Sequence, residues 1–332
     1  MMACSSSKVT SVNESQKNVD PFIKDLMSKM TLEDKVGEMT QLSIDMLSVG
    51  APYNLKEPHT FDEQKLQNIL VDLKVGSILN CGGHAYTKEK WHEIMTTVQD
   101  YAMNKKSTGI PVLYGIDAIH GTNYTLESTL FPQQLGQAST WNIECAKECG
   151  EVTAYETRAS GIPWAFSPVL DIGRDARWPR LWETYGEDVH LAKEMAKSYI
   201  KGMEGDDVSD MNKVATCMKH FLGYSVTLRG KDRTAAWVPE RQLREYVLPT
   251  FQVAMEQGSQ TIMINSGEMN GIPVHVNEWV LKTLLRDELG FEGLAVTDWE
   301  DIGYLVSRHK VAKNFKDAII QSINAGIDMA MV

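Results

Sequence analysis

Eight short apolar runs, each separated from the next by a longer amphipathic stretch, limit most strongly what this chain can fold into. They lie at Glu38–Ser43, Gly76–Leu79, Val112–Asp117, Trp164–Val169, Val214–His220, Thr261–Asn265, Leu294–Trp299 and Ile327–Val332. Helical patterns fill most of the gaps, at Ser139–Arg158, Leu191–Met203, Glu240–Gln257 and Asn277–Leu289. Alternation of this kind is the pattern of repeated βα units around a parallel sheet. Eight units predict an α/β fold of the (β/α)8 barrel type. A doubly wound open sheet is the alternative, but no GxGxxG or GxxxxGK[ST] string follows any run to mark a phosphate-binding turn. The chain stops at Val332, inside or just after the eighth run. A parallel strand normally has both faces buried, so the expectation is a barrel truncated at its eighth strand, its last face covered by something outside the chain.

Composition excludes several functions. The chain has 332 residues, and 33 Lys+Arg against 44 Asp+Glu give a formal charge of -11. A phosphate-backbone binder needs clustered cations, so no nucleic-acid partner is expected. An anionic membrane surface would repel such a chain, and no apolar run approaches the roughly 20 residues of a membrane span. The five cysteines show no CxxC pair, and no HExxH or His-x-His string occurs, so neither zinc nor another metal cofactor is expected. Cys145 and Cys149 read as two free thiols on a helix.

Residues 1–19 differ from the rest. Met1-Met2-Ala3-Cys4-Ser5-Ser6-Ser7 has a small residue before a cysteine and a serine-rich stretch after it. This resembles the tail of a bacterial lipoprotein signal, although the charged and apolar parts that should precede it are missing. The expected organisation is a flexible tether at 1–19, a barrel at 20–332 and an extracytoplasmic location in a bacterium.

In such a barrel the active site forms at the C-terminal ends of the strands, and these ends are rich in polar residues. The third run leads into Asp117 and His120; Asp171, Arg174, Asp175, Arg177, Arg180 and Glu183 follow the fourth; Lys219-His220 ends the fifth. Asn265-Ser266-Gly267-Glu268 follows the sixth, and Asp298-Trp299-Glu300-Asp301 the seventh. Carboxylates and cations make strong charge-assisted bonds to hydroxyls, while aromatic faces pack on the C–H side of a sugar ring. A carboxylate there can also attack an anomeric carbon. Simpler readings stand beside these. Asp117 and His120 could cap the next helix, most of the arginines could form ion pairs with Asp171, Asp175 and Glu183, and Glu300 and Asp301 read as solvated loop charges.

Several strings carry a resemblance. Met30–Met39, Tyr114-Gly115-Ile116-Asp117-Ala118-Ile119-His120-Gly121, Phe131-Pro132, Phe166–Asp171, Arg177-Trp178-Pro179-Arg180, Glu183–Asp188, Lys219-His220-Phe221 and Thr297-Asp298-Trp299 resemble glycoside hydrolase family 3, in its β-glucosidase branch. The likeness runs from about Pro21 to Val332. It implies a retaining exo-acting glycosidase that releases terminal β-D-glucose from β-glucosides or oligosaccharides. By that resemblance Asp298 is the nucleophile, Asp117, Arg180, Lys219 and His220 bind the glucose, and Trp299 is the platform beside the nucleophile.

Two departures matter. Pro179 stands where many relatives have glycine, which could tilt Arg180. By the resemblance, such β-glucosidases usually take their acid/base glutamate from a second α/β domain, and the expectation is that this sequence stops before one begins. Glu268, beyond the sixth run, is the one acid that can be nominated within it, although its neighbours read as a turn. A carbohydrate-binding barrel with weak catalysis is therefore an alternative. A β-N-acetylhexosaminidase is a further one, but its Lys-His-Phe-Pro-Gly-His-Gly pattern is replaced here by Lys219-His220-Phe221-Leu222-Gly223-Tyr224-Ser225, and Lys231-Asp232-Arg233-Thr234 adds no histidine.

Overall fold

The computed structural model describes residues 20–332. Cys4 and the expected tether at 1–19 lie outside them. Eight parallel strands form one sheet: β1 Thr40–Ser43, β2 Ser77–Leu79, β3 Leu113–Ile116, β4 Trp164–Ala165, β5 Ala215–Phe221, β6 Thr261–Ile264, β7 Leu294–Val296 and β8 Ala330–Met331. Their order is β7-β6-β5-β4-β3-β2-β1-β8, with β8 paired to β1 through Thr40↔Ala330 and Gln41↔Met331. Backbone bonds from Asp328 and Met329 to the Ala295 carbonyl, and from Thr297 to Met329, join β8 to β7 and close the ring. Every one of the eight expected runs overlaps a barrel strand, so the fold is the (β/α)8 barrel.

Except for β5, which matches its run in length and is shifted by one residue, the strands are shorter than the runs, and the reasons are local. The expected Trp164–Val169 is a two-residue ladder because the Ser167 N–H turns back to the Ala165 carbonyl and Pro168 after it has no N–H to contribute. The segment nonetheless stays beside β5: Ser167 and Pro168 carbonyls accept from Cys217 and Lys219, and the Leu170 N–H donates back to Lys219. The start of the first run belongs instead to a helix, Leu32–Glu38. Thr31 and Asp34 form a reciprocal capping box there, which accounts physically for the Thr-Leu-Glu-Asp string.

Helices also shift by a few residues. Asn142 caps the one at Ile143–Ala159, and Asp188 caps the one at Val189–Glu204. These two pack closely, because a Cβ at Gly150 or Gly202 would lie 2.4 or 2.2 Å from the other helix's backbone. The expected Glu240–Gln257 helix is interrupted by a wide i→i+5 turn at Leu243–Val247 before Pro249 restarts it. Cys81, Cys145, Cys149 and Cys217 are free thiols.

Inside the barrel, Leu79, Trp164, Phe166, Cys217, Met263, Val296, Met329 and Met331 pack together. Gly115 is what admits Phe166, since a Cβ there would sit 2.4 Å from its ring. The plug blocks the lumen and leaves a floor on which a site can stand. Among the described residues no helix is long and apolar enough to cross a membrane.

Candidate active site

At the C-terminal ends of the strands a cavity of about 360 Å3 opens above the plug, within the usual range of about 300–1,000 Å3 for small-molecule sites. Leu79, Met263 and Met331 form its apolar part; Asp117, Arg180, Lys219, His220, Asp298 and Trp299 all line it. The sequence had singled out those six. A larger cavity, about 690 Å3, lies beside Gln260 and Gly293 at the opposite ends of β6 and β7, with no Lys, Arg or His in its wall. The smaller one holds the chemistry.

Two consecutive residues, Lys219 and His220, both reach this cavity, which a regular strand forbids because alternate side chains point to opposite faces. The pairing of β5 with β6 shifts register between Lys219 and Phe221, so the strand is irregular where both side chains enter the cavity. Lys219, almost fully buried, donates to Asp117 Oδ1 at 2.6 Å, so neither charge is left unpaired. His220 Nδ1 lies 2.8 Å from Asp171 Oδ2, which also accepts the His220 backbone N–H. Burial pushes the Asp171 carboxyl up to about 7. Burial, with Arg180, Lys219 and Arg233 nearby, holds the His220 imidazole far below its ordinary range. The ring is therefore uncharged, and its Nε2 points toward Asp298 Oδ2, 3.8 Å away.

Arg180 forks onto Glu183 through Nε and Nη2 at 2.8 and 2.7 Å and lies across the Tyr224 ring. Pro179 does not remove it from the cavity. The expected arginine cluster divides: Arg177 pairs with Asp175 at the surface, Arg174 stacks on Tyr246, and Asp171 serves His220. Neither Asp117 nor His120 caps a helix. His120 Nδ1 meets the Phe131 carbonyl at 2.9 Å.

Asp298 is 8% exposed. Its Oδ1 accepts from the Trp299 N–H at 2.6 Å and faces Arg233 Nη2 at 3.4 Å; its Oδ2 accepts from Ser266 Oγ at 2.9 Å. Burial alone would raise this carboxyl, but Arg233, Arg180, the Trp299 N–H and Lys219 outweigh it and hold the group below the usual aspartate range. Asp298 is thus ionised at neutral pH.

Asp301 corrects an expectation. It is buried, not solvated, because Glu300 takes a left-handed turn (φ 57°) that starts the helix Asp301–Ser307 and directs Asp301 inward. There its Oδ1 accepts from Arg233 Nη1 at 3.0 Å. Arg233 itself was not singled out from sequence, although a charged loop after a barrel strand was the available signal. The loop folds back through Thr227↔Ala236 and leans on the Glu268–Met269 strand, which brings Arg233 to the mouth. Glu268 accepts from His309 Nδ1 at 2.8 Å and lines a separate cavity with Arg308, and so is not in the wall around Asp298.

A second cavity of about 450 Å3 adjoins the first, sharing Asn80, Asn123, Tyr124 and Trp299, and adds Asp45 and Tyr53. Tyr53 and Trp299 rings lie 6.0 Å apart, tilted by 57°. No cluster of His, Cys, Asp and Glu that could hold a metal occurs among the described residues.

The mouth of this parallel barrel thus gathers an ionised aspartate, a Lys–Asp pair, a forked arginine and an indole. Residues 31–332 match the glycosyl hydrolase family 3 N terminal domain, and the chain belongs to that family. It is 43% identical over 327 residues to a lysosomal beta glucosidase of Dictyostelium discoideum, covering 94% of this chain and 39% of that protein. A periplasmic beta-glucosidase of Salmonella typhimurium is 32% identical, with 94% and 37% covered. The chain therefore spans about two-fifths of the length of these relatives. Among solved structures, a beta-glucosidase from Listeria innocua in complex with glucose superposes with a TM-score of 0.81 at 28% identity, over 94% of this chain and 42% of that one.

Proposed function

We propose that this barrel is the nucleophile-bearing part of a retaining, exo-acting β-glucosidase that releases terminal β-D-glucose. The observation that carries the reading is Asp298: a carboxylate kept ionised in a cavity whose other groups suit sugar hydroxyls. Asp117 accepts from two hydroxyls, Lys219 and Arg180 donate, and neutral His220 offers the Nε2 lone pair. Trp299 packs against the ring and divides the glucose from the leaving group, which extends into the adjoining cavity with Tyr53. An Asp298 oxygen attacks the anomeric carbon as the glycosidic C–O bond breaks, giving a glycosyl-aspartate that water then hydrolyses.

The leaving oxygen also needs a proton. A retaining mechanism places the second carboxyl about 5–5.5 Å from the first. Apart from the paired Asp117 and Glu183, no carboxyl besides Asp298 lines this cavity among the described residues, and Asp301 is committed to Arg233. The acid accordingly comes from a second α/β domain outside this chain, and the barrel alone is a glucose-binding unit with weak catalysis.

Three measurements test the reading. A 2-fluoro glucoside labels Asp298; label on another residue refutes the assignment. An aryl β-glucoside is cleaved in preference to an aryl N-acetylglucosaminide, and the reverse preference would favour the hexosaminidase branch. The 332-residue chain cleaves cellobiose poorly; near-normal turnover, or activity lost on Glu268→Gln, would place the acid within it.

A further inference from the structure

Arg233 is the group through which the region behind the site reaches Asp298, and nothing in the glucose-binding role uses it. Its guanidinium bridges two carboxylates, Nη2 to Asp298 Oδ1 at 3.4 Å and Nη1 to Asp301 Oδ1 at 3.0 Å, while Nη1 also reaches the Trp299 carbonyl at 3.3 Å. Its side chain is largely buried, and its backbone adopts the left-handed conformation (φ 53°), so the loop is shaped to deliver it. Asp301 is 2% exposed. The other ionisable groups that face it are Asp298, Arg308 and the buried His275, whose Nε2 lies 3.5 Å from Oδ2. A buried carboxyl is costly to keep without a purpose or a partner, and this one's hydrogen-bonded cation is the residue that contacts Asp298.

We propose that Arg233 and Asp301 are positioning residues: Asp301 anchors the guanidinium, and the guanidinium holds the Asp298 carboxylate ionised and turned into the cavity. The inference rests on Asp298 being the nucleophile. It separates two kinds of cation at one site, since Lys219 and Arg180 are each tied to a carboxylate of their own at the sugar end, whereas Arg233 is shared with Asp298 directly. The charged and titratable groups around Asp298 are Arg233 with Asp232, Asp301 and His275 on one side, and Arg180, Lys219, His220 and Tyr224 on the other.

The sign of the effect separates positioning from plain electrostatics. An opposite charge in contact lowers a carboxyl pKa by about one to three units. Arg233→Gln therefore raises the Asp298 pKa and moves the acid limb of its reaction upward in pH. Asp301→Asn removes an acidic group near Asp298, so by Coulomb's law alone it lowers that pKa or leaves it unchanged. If Asp301 acts through Arg233, the loosened guanidinium moves the limb upward instead.

The readout is the rate of covalent labelling of the 332-residue chain by dinitrophenyl 2-deoxy-2-fluoro-β-glucoside between pH 3 and 8, followed by intact mass. Its good leaving group needs little protonation, so no second domain is required. The parent chain is labelled with an acid limb below the ordinary aspartate range. Arg233→Gln shifts that limb upward by about one unit or more, with a larger rate loss at pH 4 than at pH 7. Arg233→Lys returns part of the shift, and Asp301→Asn moves the limb in the same direction as Arg233→Gln. A parent chain that takes no label overturns the nucleophile assignment and the inference with it. A labelled parent with unchanged limbs in the Arg233 variants overturns the inference alone, and a downward or absent shift in Asp301→Asn removes Asp301 from it.

Discussion

The lower part of the barrel lumen and its mouth adjoin and are built by opposite rules. Below, Trp164, Phe166, Cys217, Val296 and Met329 fill the lumen with close-packed apolar surface. Above, Asp117, Lys219, Arg180, Glu183 and Asp298 line one cavity with Arg233 set against Asp298, and each charge has a named partner. The first region converts buried area into stability. The second keeps several charges out of water, which is repaid only by their mutual pairing. Met263, Leu79 and Met331 belong to both, as the top of the plug and the floor of the cavity. Stability and chemistry are thus carried by different layers of the same eight strands, and substitutions can separate them.

The sharpest break comes from Asp298→Ala in a protein that carries the second domain. Turnover of an aryl β-glucoside should fall by about 10^3-fold or more, as for loss of other nucleophiles, while the circular dichroism spectrum is retained. Phe166→Ala should do the reverse, costing about 3–5 kcal/mol in a urea titration with less than proportionate loss of turnover per folded molecule. If Phe166→Ala instead abolished catalysis at full stability, the two layers would not be separable. Lys219→Met tests the mouth alone. It leaves Asp117 half-exposed and able to hydrate, so folding persists, and kcat/KM falls by about 10- to 100-fold, the worth of a hydrogen bond from a charged donor. The smallest effect belongs to Arg177→Ala, whose pair with Asp175 is at the surface; no measurable change in Tm or turnover is expected there.

The pKa directions sharpen the same contrast. With a folded pKa depressed by Arg233, Arg180, the Trp299 N–H and Lys219, Asp298 contributes stability above its unfolded pKa, and this is lost as pH falls through the folded value. Asp171 and Asp301 are raised by burial, so they oppose that contribution at neutral pH. The acidic limb of activity and the acidic limb of stability therefore need not coincide.

Much of the site was legible because (β/α)8 architecture fixes where function lies: polar residues that follow a strand in sequence sit at one end of the barrel. Asp117, Arg180, Lys219, His220, Asp298 and Trp299 all follow strands, the resemblance to glycoside hydrolase family 3 picked them out from the other polar residues there, and all line one cavity. Arg233, Tyr224 and the burial of Asp301 were less so, since each depends on how a loop folds back or on the hand of a single backbone turn at Glu300.

By itself, the sequence determined eight strands, their order along the chain and the ends from which the chemistry projects, because period and polarity are local properties that survive unfolding. Tertiary structure decided the rest. It chose which acids keep water and which lose it, with Glu268 tied to His309 and Asp301 sealed behind Arg233. It also brought two adjacent residues, Lys219 and His220, into one cavity where the pairing with β6 shifts register. Charge state follows burial and partners, and both are set only when segments far apart in sequence meet.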